Sequence, residues 1–241
     1  MKSDLEQVKK IVAESDNIVF FGGAGMSTES GIPDFRSADG IYNQEYKYPP
    51  EQVIGRSFFL KHPDVFYDFY REKILKPGMA AKPNPAHLKL AELEKKGKLK
   101  AVITQNIDHL HQKAGSKNVL QLHGTINENY CMKCDKDFDL DYVANTEGAA
   151  LCDDCGGLIH PGIVLFEEPL DNSITRQSLQ YIEEADVVIV GGTSLAVYPA
   201  AGFIDYYQGD KLILVNLSRV ANPKVNYFIQ GKVGEIISQW D

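Results

Sequence analysis

The sequence predicts an α/β fold in which a parallel β-sheet has helices on both faces and carries one small inserted module. Short runs of apolar, β-branched residues alternate along the chain with segments of helical periodicity. These runs are almost continuously apolar, as expected of strands that are buried on both faces. A polar interval at 131–155 interrupts the alternation and contains every cysteine of the chain.

The predicted elements follow one another as such a fold requires. The N-terminal segment is an amphipathic helix with Leu5, Val8 and Val12 on one face. A helix is predicted over 57–75, and another over 85–96 with Asn84 as its cap and Gly97 just beyond its end. The predicted strands are 17–21, 99–103, 119–122, 163–165, 186–190 and 211–215. Alternation of this kind predicts a Rossmann-like sheet, which binds ligands at the carboxyl ends of its strands.

The composition limits the partners of the protein. The 241 residues are 44% hydrophobic, which suits a globular protein with one sizeable core. The formal net charge of -8 argues against a general nucleic-acid binder, because affinity for phosphate backbones needs clustered Lys and Arg. No apolar run reaches the length of a membrane span. We therefore expect small molecules or basic peptides as partners, no nucleic acid and no membrane. We also expect a monomer.

The cysteines indicate a metal site. They form two C-x-x-C pairs separated by seventeen residues: Cys131, Cys134, Cys152 and Cys155. This spacing is typical of two knuckles that bind one zinc ion, and four thiolates leave no coordination position for water, so the metal is expected to be structural. Two disulfides or four unrelated core cysteines are the alternatives, and His123 or His160 could replace one cysteine. Since no export signal is recognisable, we expect a reducing cytoplasm.

A glycine-rich turn, Gly23-Ala24-Gly25-Met26-Ser27-Thr28, follows the first predicted strand and is expected to open a helix. Backbone N–H groups in such a turn can bind the pyrophosphate of a dinucleotide. The third glycine of the usual fingerprint is missing, so a plain tight turn is the alternative. Two further strand ends support a nucleotide site, Gly191-Gly192-Thr193-Ser194 and Val215-Asn216-Leu217-Ser218.

Two more strand ends carry polar groups. Thr104-Gln105-Asn106-Ile107-Asp108 has four polar residues in five positions, which exceeds what a helix cap requires, although Asp108 could simply start the next helix. Leu122-His123-Gly124 places a histidine at a strand end. A single histidine is more often structural than catalytic, but the polar residues at the neighbouring strand ends favour a catalytic role here.

Taken together, these motifs resemble the sirtuins, the NAD-dependent protein-lysine deacylases, in their short bacterial form. The motifs stand in family order over about residues 18–233. They are Gly-Ala-Gly-Met-Ser at 23–27, Ser-Gly-Ile-Pro-Asp-Phe-Arg at 30–36, Thr-Gln-Asn-Ile-Asp-His-Leu-His at 104–111 with Ala-Gly at 114–115, Leu-His-Gly at 122–124, the cysteine pairs and Gly-Thr-Ser-Leu at 192–195.

The resemblance implies a Rossmann-like NAD-binding domain formed by 1–125 and 160–241. A zinc-binding module at 126–159 is inserted into it and is associated with part of a small helical domain at about 34–80. It also implies an NAD-dependent protein-lysine deacetylase that transfers the acyl group from an acetyl-lysine side chain to ADP-ribose and releases nicotinamide. NAD and zinc would be its cofactors, and acetylated lysine in proteins or peptides its substrate.

The resemblance further implies the roles of individual residues. His123 would be the general base, with Asn106 as the second catalytic residue. Phe35 would shield the reactive sugar, Arg36 would order the cofactor loop, and Asp108 would accept a hydrogen bond from the nicotinamide carboxamide. The implied NAD contacts are Gly23, Ala24, Gly25, Thr28, Phe35, Arg36, Gln105, Asn106, Ile107, Asp108, His123, Gly192, Thr193, Ser194, Asn216 and Val233. The implied substrate contacts are Val164, Phe166 and Val197.

Two positions depart from the family pattern. Many sirtuins have Phe-Gly-Glu where this chain has Phe166-Glu167-Glu168; the missing glycine could alter the strand that binds substrate, or Glu167 could face solvent. Members that prefer succinyl or malonyl groups place a Tyr and an Arg three apart on one helix, and here Arg71 stands one position later. One position rotates a helical side chain by about 100 degrees, so we expect acetyl or longer apolar groups rather than acidic ones.

Two other functions fit the same motifs. A mono-ADP-ribosyltransferase would use the same activated sugar with a protein side chain as acceptor. A non-enzymatic NAD-responsive binding module would need the pocket but not a base at His123.

Overall fold

The structure is a computed structural model that describes residues 2–37, 39–43, 46–220 and 222–240. Its strands are β1 (Ile18–Gly22), β2 (Leu99–Thr104), β3 (Val119–Gln121), β4 (Gly124–Cys131), β5 (Asp137–Asp139), β6 (Ile159–Ile163), β7 (Val187–Gly191), β8 (Leu212–Asn216) and β9 (Tyr227–Gln230). Its α-helices are α1 (Lys2–Glu14), α2 (Pro50–Val53), α3 (Arg56–Lys61), α4 (Pro63–Tyr70), α5 (Lys76–Ala80), α6 (Pro85–Lys95), α7 (Leu110–Ala114), α8 (Leu140–Asn145), α9 (Asn172–Glu184) and α10 (Val233–Ile237).

The main sheet confirms the predicted fold class. Six parallel strands lie in the order β3-β2-β1-β7-β8-β9, and every residue of β1 and β7 is buried. One face packs Phe20 and Ile189 against helices α1, α6 and α10, and the other packs Phe21 and Val190 against α9 and the 3-10 segment Ala200–Tyr206. The edge strand β9 was not predicted, because it is only four residues long and just one of its residues, Ile229, is buried.

The predicted strand at 163–165 is wrong in position and in partner. The strand runs over Ile159–Ile163 and belongs to a separate three-stranded antiparallel sheet, β5-β4-β6, in which Cys131 is opposite Ile159. The pairing of β6 with β4 fixes these residues outside the parallel sheet. Cys131 is the last residue of β4, and Cys134 lies in the turn that follows it, so the first cysteine pair belongs to this small sheet and its turn and not to the parallel sheet.

The predicted helix at 57–75 is broken in the structure. Helix α3 ends before His62, α4 starts at Pro63, and a π-helical turn at Arg71–Leu75 leads into α5. Proline has no N–H group and disfavours helical geometry in the residue before it, which explains the break at His62. The helices α2 to α4 bury Phe59, Phe66 and Tyr67 in one apolar cluster with residues of β4 to β6.

Helix α6 confirms the helix that was predicted over 85–96. The Asn84 side chain accepts hydrogen bonds from the backbone N–H groups of Ala86 and His87, and His87 Nδ1 accepts from the Asn84 N–H. Gly97, just beyond the helix, has a φ of 76°, a conformation that glycine adopts without strain. No helix in the described residues is long and apolar enough to cross a membrane.

Candidate active site and metal centre

A cavity of about 250 Å³ lies at the carboxyl ends of the parallel strands, beside the small antiparallel sheet. Most of the chemistry-bearing residues named from the sequence converge on it. Those that line the cavity are Ala24, Phe35, Arg36, Gln105, Asn106, Ile107, Asp108, His123, Val164, Phe166 and Val197. The sequence therefore identified groups that are distant along the chain and adjacent in the fold.

The other predicted cofactor residues belong to the neighbouring strand ends. Among the described residues, Gly23, Gly25, Thr28, Gly192, Thr193, Ser194, Asn216 and Val233 lie outside the cavity lining. Hydrogen bonds connect this group to the cavity: Asn216 Nδ2 donates to Thr193 O (3.2 Å), and Gln105 Nε2 donates to Thr193 Oγ1 (3.3 Å). The ends of β1, β2, β7 and β8 thus form one continuous edge.

The glycines of the first turn have a structural reason that the sequence did not reveal. A Cβ on Gly23 would lie 2.7 Å from the Thr193 Cβ, and one on Gly25 would lie 2.8 Å from the Gly192 Cα. The Gly25 N–H donates to Gly192 O at 2.7 Å. The two strand ends therefore pack backbone against backbone, and the turn lies at the edge where ligands bind in such sheets.

The helix predicted after this turn is wrong. Ala24–Met26 and Thr28–Ser30 are two short 3-10 turns, and Gly31 follows them with a left-handed φ of 86°. Pro33, which has no N–H group to donate, stands two residues further on. The chain therefore enters an irregular loop, where the sequence motif had suggested an α-helix.

A buried hydrogen-bond network lies at the base of the cavity. Ser27 Oγ donates to Asp108 Oδ2 at 2.6 Å, and Asn106 Nδ2 donates to Ser27 Oγ at 3.0 Å. Asp108 Oδ1 also accepts from the Leu110 N–H, so this carboxylate both starts α7 and joins the network. Burial raises the pKa of Asp108, while the hydrogen bonds from Ser27 and Leu110 oppose that effect.

Ser27 was quoted in a sequence motif but was not named as a site residue. It is 1% exposed, and its hydroxyl is the only atom that links Asn106 to Asp108 among the hydrogen bonds of the described residues. Its position directly after a glycine-rich turn was the signal that could have identified it. The network fixes both neighbouring side chains before any ligand binds.

His123 follows β3 and has the geometry of a base. Its Nδ1 lies 2.9 Å from the backbone oxygen of Gln105, and a carbonyl oxygen can only accept, so Nδ1 carries the proton. Nε2 therefore has a free lone pair in the tautomer that this contact selects. Burial lowers the pKa of His123, and the hydrogen bond to Gln105 opposes this to a smaller degree. The imidazole is consequently neutral near pH 7.

The loop after the first turn brings aromatic and cationic groups to the cavity. Asp34 Oδ1 accepts from the N–H groups of Arg36 and Ser37, which forms a local turn and presents Phe35 and Arg36 side by side. Tyr42, which the sequence did not indicate, packs its ring 5.4 Å from the Phe35 ring, and the Arg36 guanidinium lies 5.6 Å over it. Burial raises the pKa of Tyr42 to about 12, so its hydroxyl stays neutral.

The four cysteines form a compact cluster that fits a tetrahedral metal. All four are free thiols, and their Sγ atoms lie within 4.8 Å of one another. The closest pairs are 3.4 to 3.7 Å apart, near the ~3.8 Å expected between sulfurs that share one zinc at 2.3 Å. The histidine alternatives have other partners, since His160 contacts Pro161 O and Glu168, and His123 contacts Gln105 O.

The two departures from the family pattern occupy defined positions. Arg71 donates to Val143 O (3.0 Å) and to Thr146 Oγ1 (2.6 Å), and it lies outside the cavity lining of the described residues. Glu167 lines the cavity, and its carboxylate accepts hydrogen bonds from Ser57. The cavity therefore does not use Arg71 as a receptor for acidic groups.

Comparison with known proteins gives one consistent result. A model of the Sir2 family matches residues 23–199. The NAD-dependent protein deacetylase of Clostridium acetobutylicum is 54% identical over 237 residues, covering 97% of this chain and 96% of that protein. The enzyme of the same name from Clostridium tetani is 52% identical, and the match covers 96% of this chain and 95% of that protein. A solved Sir2 enzyme superimposes with a TM-score of 0.90 and is 39% identical, covering 99% of this chain and 96% of its own. A Sir2 protein bound to acetylated peptide superimposes with a TM-score of 0.85 and is 40% identical, covering 97% of this chain and 95% of its own.

Proposed function

Because the chain belongs to the Sir2 family, we propose that it is an NAD-dependent protein deacetylase acting on acetyl-lysine side chains. The enzyme transfers the acetyl group to ADP-ribose and releases nicotinamide. Relatives that are 45–54% identical to the chain are named NAD-dependent protein deacetylases. The observation that carries the proposal is the convergence of His123 with the buried Ser27, Asn106 and Asp108 network on one cavity.

The strand-end edge would bind NAD. When bound, NAD supplies an ADP-ribosyl group, whose bond to nicotinamide is broken and which accepts the acyl group. The N–H groups of Gly23 and Gly25 already donate to Gly191 O and Gly192 O. Other backbone N–H groups of the first turn would hold the pyrophosphate, as at other glycine-rich strand ends. The adenosine half of NAD would be held by residues near the ends of β7 and β8 and at the start of α10. These are Thr193, Ser194, Asn216 and Val233.

Asp108 and its partners would recognise the nicotinamide ring. The carboxylate has accepting capacity beyond the two donors it already contacts, so a carboxamide N–H can be added without breaking Ser27 or Leu110 contacts. Ile107 supplies an apolar wall beside it. Phe35 and Arg36, at the mouth, would cover the site and keep water away from the reacting sugar.

His123 would act as the general base. Its Nε2 has the free lone pair, and its lowered pKa keeps it unprotonated near neutral pH, so it can take a proton from a ribose hydroxyl. Asn106, held by Ser27, would orient the sugar through its remaining amide groups. Holding the base and the sugar in a fixed orientation within one narrow cavity would raise the reaction rate.

The acyl peptide would bind on the opposite side of the cavity. Val164, Phe166 and Val197 line it, and the Val164 N–H donates to His123 O at 2.9 Å, which couples this side to the base. Phe166 is 40% exposed and Tyr198 is 74% exposed, so aromatic surface is open to a ligand at the mouth. The apolar lining and the distant contacts of Arg71 favour acetyl or longer apolar acyl groups.

The remaining expectations extend this proposal. The NAD-binding domain would comprise 1–125 and 160–241, and the module at 126–159 would bind zinc through its four thiolates as a structural metal. Unpaired thiols suit a reducing compartment such as the cytoplasm. The net charge of -8 supports a protein that does not bind nucleic acid, and we propose a monomer, which light scattering would test.

The proposal is tested with three lysine peptides, carrying acetyl, succinyl or myristoyl groups, each with and without NAD. Chromatography follows nicotinamide, and mass spectrometry follows the peptide and the protein. We expect nicotinamide and deacylated peptide from the acetyl substrate only when NAD is present, with little product from the succinyl substrate. ADP-ribose attached to protein without loss of acetyl groups would indicate a mono-ADP-ribosyltransferase instead.

A further inference from the structure

The end of the substrate side of the cavity is a tight turn, residues 165–168, which we name the wall turn. It pairs with the loop that leads into α3: the Phe166 N–H donates to Ile54 O (3.1 Å), and the Arg56 N–H donates to Phe166 O (3.0 Å). Ile54 and Phe166 both line the cavity. The position of the wall turn relative to α3 therefore sets the width of the substrate side.

Glu167 occupies a backbone conformation that favours glycine. Its φ is 76°, in the left-handed region, where a side chain is strained by contact with its own backbone. As noted above, many sirtuins have glycine here, which would adopt this conformation freely. A strained residue of this kind persists when its surroundings hold it in place, so the contacts of its side chain need an explanation.

The Glu167 side chain makes a defined contact with the start of α3. Its Oε2 accepts from the Ser57 N–H at 2.9 Å and from Ser57 Oγ at 2.5 Å. A Cβ on Gly55 would lie 3.3 Å from Glu167 Oε1, so glycine at that position leaves room for the carboxylate. The hydrogen bonds from Ser57 lower the pKa of Glu167, which keeps it charged at neutral pH and strengthens both contacts.

Glu168 holds the same turn from the other side. Its Oε1 lies 2.9 Å from His160 Nε2 on β6, and its Oε2 accepts from the Leu165 N–H at 2.9 Å. Arg56 Nε lies 3.4 Å from Oε1. Two consecutive carboxylates therefore hold the wall turn in different directions, Glu168 mainly to β6 and Glu167 to the start of α3.

We propose that Glu167 is a positioning residue, which fastens the wall turn to α3 through Ser57 and thereby sets the affinity of the enzyme for its acyl peptide. This inference rests on the proposed deacetylation. It concerns a position where the chain departs from its family, so it is a specificity device of this chain. Glu167 acts through Phe166 and the backbone that lines the cavity, and it takes no part in bond breaking.

The variants Glu167→Gly, Glu167→Ala and Glu167→Gln separate the side-chain contact from the backbone strain. Glycine removes the strain and the contact together, whereas glutamine keeps an oxygen that accepts from Ser57. We expect the KM for acetyl peptide to rise about fivefold in the glycine and alanine variants and less than about twofold in the glutamine variant. The kcat and the KM for NAD should change by less than about twofold in all three. Glu183→Ala, which removes an exposed carboxylate from α9, is the matched control.

A double-mutant cycle tests the partner. Ser57→Ala alone should raise the peptide KM about twofold, because its backbone N–H still donates, and it should add nothing further in Glu167→Ala. An unchanged peptide KM in both the glycine and the alanine variants would overturn the proposal. Additive effects of Ser57→Ala and Glu167→Ala would also overturn it, because the two residues would then act independently.

Hydrogen exchange tests the contact without relying on activity. We expect the amides of Arg56 and Ser57 to exchange about fivefold faster in Glu167→Ala than in the wild type and in Glu183→Ala. Unchanged exchange would overturn the contact whatever the kinetics. If the wild type fails to deacetylate any peptide, the proposed function fails, and this exchange measurement still decides whether Glu167 fastens the turn.

Discussion

The two sides of the cavity are built in different ways. On the cofactor side, where NAD is proposed to bind, the polar groups follow mostly buried strands. Ser27 is hydrogen bonded to both Asn106 and Asp108, and all three are 9% exposed or less. On the substrate side, Phe166 and Tyr198 are 40% and 74% exposed, and the wall turn is held by carboxylates near the surface. One side is therefore organised in advance for a single ligand, whereas the other leaves open surface for peptides of varied sequence.

The supports of the two sides differ as well. The cofactor side has large apolar clusters on both faces of the parallel sheet. The substrate side has an apolar cluster of its own, which includes Phe59, Phe66 and Tyr67. It also carries the short strand β5, the six-residue helix α8 and the cluster of four thiols. Apolar burial therefore stabilises both sides, and metal binding is expected to add the stability that the short elements of the second side need.

The largest effect is expected from the group that lies between the two sides. His123→Ala should lower the kcat for deacetylation by about 10²- to 10⁴-fold, because His123 is the only histidine among the described residues that line the cavity. NAD binding, measured by calorimetry, should remain, since the cofactor side keeps its hydrogen-bond network. His62→Gln, a histidine outside the cavity lining of the described residues, is the control. Unaltered deacetylation would remove His123 from its role.

Metal removal should separate the two sides most clearly. Chelation, or Cys152→Ser, is expected to release one zinc per chain and to abolish amide protection over 126–159, while the strands β1 and β7 keep theirs. Metal analysis and hydrogen exchange measure the two effects. A protein without zinc that is still folded over 126–159 and fully active would contradict a structural role for the metal.

A smaller effect is expected from the network of the cofactor side. Ser27→Ala leaves Asp108 Oδ2 and Asn106 Nδ2 without the hydroxyl between them, which should lower kcat/KM for NAD about tenfold. The peptide KM should hardly change. Ser30→Ala is the matched control, because the Ser30 hydroxyl is buried and has no hydrogen-bond partner in the described part of the chain. Equal effects of the two substitutions would show that the network is not specifically organised for NAD.

The backbone packing of the strand ends gives a prediction for stability. A methyl group on Gly25 would lie 2.8 Å from the Gly192 backbone, so Gly25→Ala should lower the free energy of unfolding by about 1–3 kcal/mol. Urea unfolding measures this value. Gly202→Ala is the control, since its nearest neighbour would be 3.6 Å away. If both variants were as stable as the wild type, close packing would not be the reason for glycine at position 25.

The smallest effect is a shift in pH dependence. Burial lowers the pKa of His123, so the base remains unprotonated at pH values where an ordinary histidine begins to charge. The acid limb of kcat/KM should therefore lie below about 6.5, with activity lost as the pH falls through the lowered pKa. An acid limb at or above that value would mean that His123 is not the titrating base, or that its burial changes when substrates bind.

The sequence predicted the cofactor side far better than the substrate side. Turns at parallel strand ends are local, so Gly23 to Gly25, residues 104–108 and His123 could be identified from short motifs and the order of the strands. On the substrate side, hydrogen bonds join residues that are distant along the chain: Arg71 donates to Val143 O, and Glu167 accepts from Ser57. No local pattern encodes such pairs, which is why the antiparallel partner of β6 was missed. The helix break at His62 has a local cause, Pro63, which the prediction of one helix over 57–75 did not take into account.

The central claim is that both sides of the cavity act on one bond of NAD, so that nicotinamide release and lysine deacetylation are one reaction. The most direct measurement is the ratio of nicotinamide to deacetylated peptide produced by the wild type from acetyl peptide and NAD. We expect equal amounts of the two products, and neither product when NAD or peptide is left out. Deacetylated peptide formed without NAD, or nicotinamide formed in large excess over it, would contradict the account.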